Sequence, residues 1–212
     1  MMPASWRIIL GSSSKTRQAI LRELGYDFDV LTADIDESAI RRESAEDLVL
    51  ALAEAKAEAI LAKLASAQQH SDEASSRNIQ TLVLLITADQ VVLHQGLILE
   101  KPRDAQQARE FIRGYSRAPA STVGAVVVKN LTTGVSVSGV DKTEVYFHPI
   151  PDEVVEALVA EGEVFYAAGG LLVEHPLVSP LVEAMVGSID SVMGLPKDLT
   201  ISLIAKALAS KP

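Results

Sequence analysis

The stretch that most constrains this chain is Thr81-Leu-Val-Leu-Leu-Ile86, followed by Thr87-Ala88-Asp89-Gln90. The run is short, aliphatic and partly β-branched, with no polar alternation, which is how a strand buried on both faces reads. Such a strand needs cover on both sides and therefore a layered sheet. A carboxylate directly after it stands in an expensive place, because a buried charge without a partner costs several kcal/mol. Asp89 therefore calls for cations, a metal ion or a helix N-terminus. Arg17, Lys56 and Lys101 each stand in a distinctive local context, and the expectation is that their segments converge on Asp89 around a polyphosphate.

The flanking segments are consistent with this. Arg7 to Leu10 reads as a first strand, Gly11-Ser-Ser-Ser14 as a turn, and Lys15 to Gly25 as a helix with Ile20, Leu21 and Leu24 on one side. Strand, Gly/Ser turn and helix together point backbone N–H groups and a positive dipole end at an anion. The plainer alternative is serine capping plus a surface arginine. The stretch is not a GxxxxGK[ST] phosphate loop. Phe28 to Thr32 reads as a second strand, with Asp34, Asp36 and Glu37 just after it. These acids form either a solvated turn or oxygen ligands for a divalent ion.

A helix is expected from Ser44, its N-cap, to about Ala65, with Leu48, Leu52, Ala55, Ala59 and Leu64 as the apolar stripe. Lys56 would then be a surface residue unless other segments converge on it. Ser66 to Asn78, which includes His70, reads as a polar surface loop. Val91 to Leu93, a turn at His94-Gln95-Gly96 and Leu97 to Glu100 make a hairpin, which Lys101-Pro102 closes. Asp104 starts a helix to Gly114, with Ala108, Phe111 and Ile112 facing inward. Ser121 to Val128 and Val135 to Phe147 are long strands. Pro151 to Ala160 is a helix with proline in its first turn, Ala167-Ala-Gly-Gly170 and Ser191 to Pro196 are turns, and Asp198 to Leu208 is the last helix. The class is α/β or α+β with a mixed sheet.

Composition narrows the chemistry. The formal net charge of -9 argues against a general nucleic-acid footprint, although a few clustered cations can still hold a small anion. The absence of cysteine removes disulfides, thiolate nucleophiles and thiolate-bound metals. None of His70, His94, His148 and His175 shares a metal-like spacing with another. No G-x-S-x-G elbow is present. There is no signal-peptide core and no apolar run of about 18 residues, so the expectation is a cytoplasmic protein with no membrane span.

The ordered set of motifs resembles the Maf (septum-formation) family of nucleoside triphosphate pyrophosphatases. It comprises Leu10-Gly-Ser-Ser-Ser-Lys-Thr-Arg17, Asp36-Glu37, Ala53-Glu-Ala-Lys56-Ala, Thr87-Ala-Asp89-Gln, Glu100-Lys-Pro102, Asp141-Lys-Thr-Glu144, Ala168-Gly169 and Ser191-Val-Met-Gly-Leu-Pro196, and spans almost the whole chain. The resemblance implies an α/β (mixed) fold, elongated and related to inosine triphosphatases. It further implies a curved sheet, a cleft between two lobes of one domain over residues 1–212, and a homodimer. It implies hydrolysis between the α- and β-phosphates of a nucleoside triphosphate, with magnesium or manganese. Asp89 matches the catalytic acid, Ser12, Arg17, Lys56 and Lys101 match phosphate-binding positions, and Glu37 joins Asp89 as a metal candidate.

Two stretches depart from the family pattern. Many members carry Ser-Pro-Arg-Arg where this chain has Ser14-Lys15-Thr16-Arg17, which brings in an alternative, a nucleotide-binding cell-division regulator without turnover. Members resembling dTTP/UTP pyrophosphatases carry Ala-Gly-Ala-Tyr-Gly-Ile-Gln where this chain has Ala168-Gly-Gly-Leu-Leu-Val-Glu-His175. That difference, with Asp89-Gln90-Val91, looks more like the subgroup acting on 7-methyl-GTP and other modified or pyrimidine nucleotides.

Overall fold

The computed structural model describes residues 6–69 and 82–209. The elements in chain order are β1 (Trp6–Leu10), α1 (Lys15–Glu23), β2 (Phe28–Val30), a 3₁₀ turn (Glu37–Ala39), α2 (Ala45–Gln69), β3 (Leu82–His94), β4 (Leu97–Leu99) and α3 (Ala105–Gly114). Then follow β5 (Ala120–Asn130), β6 (Ser136–Phe147), α4 (Asp152–Glu161), three further 3₁₀ turns, β7 (Val182–Val186), α5 (Ile189–Val192) and α6 (Lys197–Ala209). One seven-stranded sheet runs β2-β1-β3-β5-β6-β7, with β4 added to β3. β1 is parallel to β2 and β3, and the remaining pairs are antiparallel, so the sheet is mixed. Among the described residues no helix is long and apolar enough to cross a membrane.

The central apolar run does form the buried middle of the sheet, with Leu84, Leu85, Ile86 and Ala88 all fully inaccessible. One side packs on α1 and α6 through Ile20, Leu21, Leu203 and Ile204. The other packs on α2, where Leu48, Val49, Leu52 and Ala53 meet Val91, Val123, Ala125 and Val127. At the far end of β3, Val92 joins a third core with Ile112 of α3 and Val155 and Leu158 of α4.

Several expectations are revised. β3 does not stop before Thr87 but continues unbroken to His94, so Asp89 lies inside the strand. The inward stripe of α2 runs Val49, Leu52, Ala53, Ala57 and Ile60, while Ala55 and Ala59 are only half-buried. Alanine is small enough to sit on either side of a helix, so an alanine-rich sequence leaves its apolar face poorly marked. α2 also continues to Gln69, and His70 with the rest of the expected loop lies outside the described residues. β2 ends at Val30 rather than Thr32. Pro151 caps α4 from outside instead of occupying its first turn. β7 and α5 were not anticipated. His94 is the last residue of β3 rather than a turn residue. It is buried, with Nδ1 3.1 Å from the Pro119 carbonyl.

Candidate active site on the open edge of the central strand

The position of Asp89 follows from strand register. β1 accompanies one edge of β3 only as far as the pair Leu10–Ile86, and β4 takes up the same edge at Val92–Leu99. Between them residues 87–91 have a strand neighbour on one side only, β5. The opposite edge opens into a notch whose backbone groups need other partners. Two are filled from nearby: the Gly11 N–H donates to Ile86 O at 2.7 Å, and Arg17 Nη1 donates to Ala88 O at 2.8 Å. Gly11 allows this approach, since a Cβ there would stand 2.6 Å from both Ile60 Cδ1 and Thr87 Cγ2.

Side chains alternate along a strand, so Thr87, Asp89 and Val91 share the face toward α2, while Ala88 and Gln90 face the other way. Thr87 Oγ1 donates to Ala53 O on α2 at 2.8 Å. Lys56 lies one helical turn beyond Ala53, which places it over Asp89. Its Nζ stands 2.5 Å from Asp89 Oδ1 and 2.9 Å from Glu37 Oε1. The Lys56 and Asp89 side chains are only 14 % and 11 % exposed.

Glu37 arrives on the 3₁₀ turn. Asp36 caps that turn, its Oδ1 accepting from Ser38 N at 3.0 Å and Ser38 Oγ at 2.5 Å. Burial pushes the Glu37 carboxyl upward. The Lys56 hydrogen bond and the charges of Lys56, Lys101 and Arg17 outweigh that and leave it below the usual carboxylate range. Arg41 ties the turn across the notch. Its Nη1 donates to Glu37 O at 3.3 Å and Ile40 O at 3.0 Å, and it pairs with Glu100 Oε1 at 3.3 Å, next to Lys101.

Arg17 enters from α1, which Ser14 caps by accepting from the Arg17 N–H. Its Nε donates to Gly194 O at 2.9 Å, so one guanidinium joins β3 to the turn after α5. Burial pushes Arg17 down from the usual arginine range, against the opposing pull of Asp89 and Glu37. Gln90, on the other face, donates to Val192 O at 2.8 Å from Nε2, and its buried Oε1 has no partner. Gly194 has φ +99, and a Cβ there would lie 2.9 Å from Gln90 Oε1 and 3.1 Å from Arg17 Nε.

Of the residues expected at the site, Glu37, Lys56 and Asp89 are in direct contact, and Arg17 holds the carbonyl beside Asp89. Lys101 is exposed and acts on Glu37 through its charge. Ser12 is buried two residues after Leu10, with its Oγ accepting from Ser14 N at 3.3 Å. Behind Lys101, the Gly169 N–H donates to Glu100 O at 2.9 Å and Tyr115 OH donates to Gly169 O at 2.6 Å. His175 pairs instead with Glu161 at 2.8 Å. The sequence marks no role for Arg41, and Gln90 and Gly194 enter it only as members of motifs. Only the glycine in Ser191-Val-Met-Gly-Leu-Pro196 signalled a special backbone there.

The donor set fits a hard divalent cation that is only partly coordinated by protein. One ammonium touches both Glu37 and Asp89, so the two carboxylates lie within reach of a single cation. Among the described residues there is no group of three or more His, Asp or Glu side chains that would complete a protein cage. Magnesium is commonly held this way, by one or two carboxylates with phosphates and water supplying the rest.

The family model described as Maf-like protein matches residues 7–207. A 7-methyl-GTP pyrophosphatase of Dictyostelium discoideum is 39 % identical over 94 % of this chain and 96 % of its own length. A dTTP/UTP pyrophosphatase of Geotalea uraniireducens is 31 % identical over 92 % of each chain. A nucleoside triphosphate pyrophosphatase of Salinispora tropica is 31 % identical over 94 % of this chain and 83 % of its own.

Proposed function

We propose, for a chain that belongs to the Maf family, the hydrolysis of a nucleoside triphosphate between its α- and β-phosphates. The products are the nucleoside monophosphate and pyrophosphate. The observation that carries this reading is the meeting of Lys56, Glu37 and Asp89 in the notch, with Arg17 and Lys101 beside them. Reactions at phosphorus ask a protein mainly for positioning and charge neutralisation. The site is positive although the chain as a whole is acidic, which draws a polyanion to this one place.

In this mechanism Lys56 and Lys101 take phosphate oxygens. Arg17, anchored on two carbonyls, keeps the Ala88 and Gly194 backbone fixed around the substrate. Asp89 orients a water and accepts its proton as the oxygen attacks the α-phosphorus. The bond from that phosphorus to the bridging oxygen breaks, and pyrophosphate leaves with the bonding electrons. Glu37 and Asp89 are the residues that would hold magnesium or manganese; when bound, such an ion offsets phosphate charge and acidifies water. The family resemblance extends the reading to a homodimer in the cytoplasm.

For the base, the reading favours 7-methyl-GTP or a related modified nucleotide. The Dictyostelium relative and the Asp89-Gln90-Val91 stretch support it. The altered first motif does not favour the non-catalytic alternative: Lys15 is exposed, while Arg17 makes the contacts inside the site. The test is a product assay over methylated, deaminated and standard nucleoside triphosphates with magnesium, manganese and cobalt. Pyrophosphate release, fastest from 7-methyl-GTP, is expected. Release of orthophosphate, or tight binding without turnover across the panel, overturns the reading.

A further inference from the structure

We propose that Lys56 is a stand-in cation. It holds the Glu37–Asp89 carboxylate pair closed to free divalent ions, and the pair becomes a metal site only when a triphosphate draws the ammonium away. The inference rests on the pyrophosphatase reading and adds an order to it: metal and nucleotide enter together.

Three observations carry it. First, Lys56 Nζ is in contact with both carboxylates at once, at 2.5 Å and 2.9 Å, and lies where a shared cation would lie. A metal ion and the ammonium cannot both occupy that position. Second, the charges around the pair are already balanced toward positive. Lys56, Arg17 and Lys101 stand against Glu37 and Asp89, and the charges of all three cations reach Glu37. A free divalent ion would therefore meet two satisfied carboxylates and two further cations, which repel it. Third, the described residues offer no third acidic or histidine ligand close by. An ion arriving alone would gain two carboxylates at most, with water filling the rest of its shell. An ion arriving on a triphosphate already has phosphate ligands and needs only the two carboxylates.

Lysine suits the role. Its charge is a compact point on a flexible four-carbon stem, so it can leave the carboxylates for a phosphate oxygen by rotation about side-chain bonds. An arginine in its place would lock onto the carboxylates through a planar fork. In the loaded site the ammonium pairs with a phosphate and the carboxylates with the metal, so every charge stays partnered through the exchange.

The test measures manganese binding by the loss of the free-ion EPR signal, on the full chain with and without an α,β-methylene nucleoside triphosphate that cannot be cleaved, after subtracting the manganese that the analogue binds in the absence of protein. Wild type is expected to bind manganese weakly alone and about tenfold or more tightly with the analogue. Lys56→Met is expected to bind manganese without nucleotide about tenfold or more tightly than wild type, and Glu37→Gln added to it removes the gain. Circular dichroism checks the fold, and Lys56→Gln replaces Lys56→Met if the latter unfolds. Wild-type binding of manganese alone that matches the Lys56 variant overturns the proposal, as does a folded Lys56 variant with no gain. Pyrophosphate release is scored separately. A manganese gain in Lys56→Met, beside a wild-type protein that releases no pyrophosphate from any nucleotide, would therefore uphold the stand-in role while removing the hydrolase reading.

Discussion

Replacing Gly194 by alanine should break the site from behind, without removing any side chain that meets the substrate. Two costs add. The backbone cost arises because Gly194 has φ +99, where an L-residue is strained by about 1–3 kcal/mol. The steric cost arises because the new methyl would stand 2.9 Å from Gln90 Oε1 and 3.1 Å from Arg17 Nε. Relieving it pushes Gln90 Oε1 and Arg17 Nε back by a few tenths of an ångström and strains the bond from Arg17 to the Gly194 carbonyl, a charge-assisted hydrogen bond of about 1.5–3 kcal/mol. Gly25→Ala isolates the first cost, since Gly25 has φ +78 and no atom within 4 Å of the added Cβ. In urea unfolding Gly194→Ala should lose roughly 2 kcal/mol more than Gly25→Ala. Its kcat/KM for pyrophosphate release should fall, by less than the about 100-fold that misplacing a positioning group by about 1 Å costs. Gly25→Ala should keep its turnover. Equal destabilisation of the two variants, with Gly194→Ala fully active, would refute the claim that this glycine seats Arg17.

Asp89→Asn should fold normally and lose about two or more powers of ten in the rate of pyrophosphate release, as expected when a general base is removed; wild-type turnover in a folded Asp89→Asn protein would remove its assigned role. A pH series tests Glu37. Its folded carboxyl lies below the ordinary value of 4.5, so the stability it confers is complete above about pH 4.5 and is lost as pH falls through the lowered folded value. The difference in urea midpoint between wild type and Glu37→Gln should hold steady from neutral pH down to that point and shrink below it. Shrinkage already at pH 6 contradicts the sign.

The strands and helices were legible wherever local chemistry marks them. The aliphatic run to Ile86, the Ser44 and Asp104 caps and the Gln95-Gly96 turn all fall where the sequence points. The site residues were legible as motifs but not as geometry. Nothing local says that β1 stops at Leu10 while β3 continues to His94, yet that offset makes the notch. A lysine in an alanine-rich helix is by default a surface residue, and only the convergence of other segments places Lys56 in the site. The stripe through Leu52, Ala53 and Ala57 brackets it and points it inward. β7 was missed because Val182-Glu-Ala-Met-Val186 is short and carries no clear alternation, with Glu183, Ala184 and Val186 exposed at the sheet edge. Gln90 and Gly194 meet through a contact more than a hundred residues apart in sequence, which no spacing rule reaches.

The uninterrupted β3 strand also acts as an indexing device. Asp89 pairs with Ala125 and Gln90 with Gly124, and the two side chains face opposite sides of the sheet. A slip of one residue would present the Gln90 amide to Lys56 and turn the Asp89 carboxylate toward the Val192 side. Single-residue insertions or deletions within Leu82–His94 are therefore all-or-none events, while length changes in the turns beyond its ends leave the index untouched.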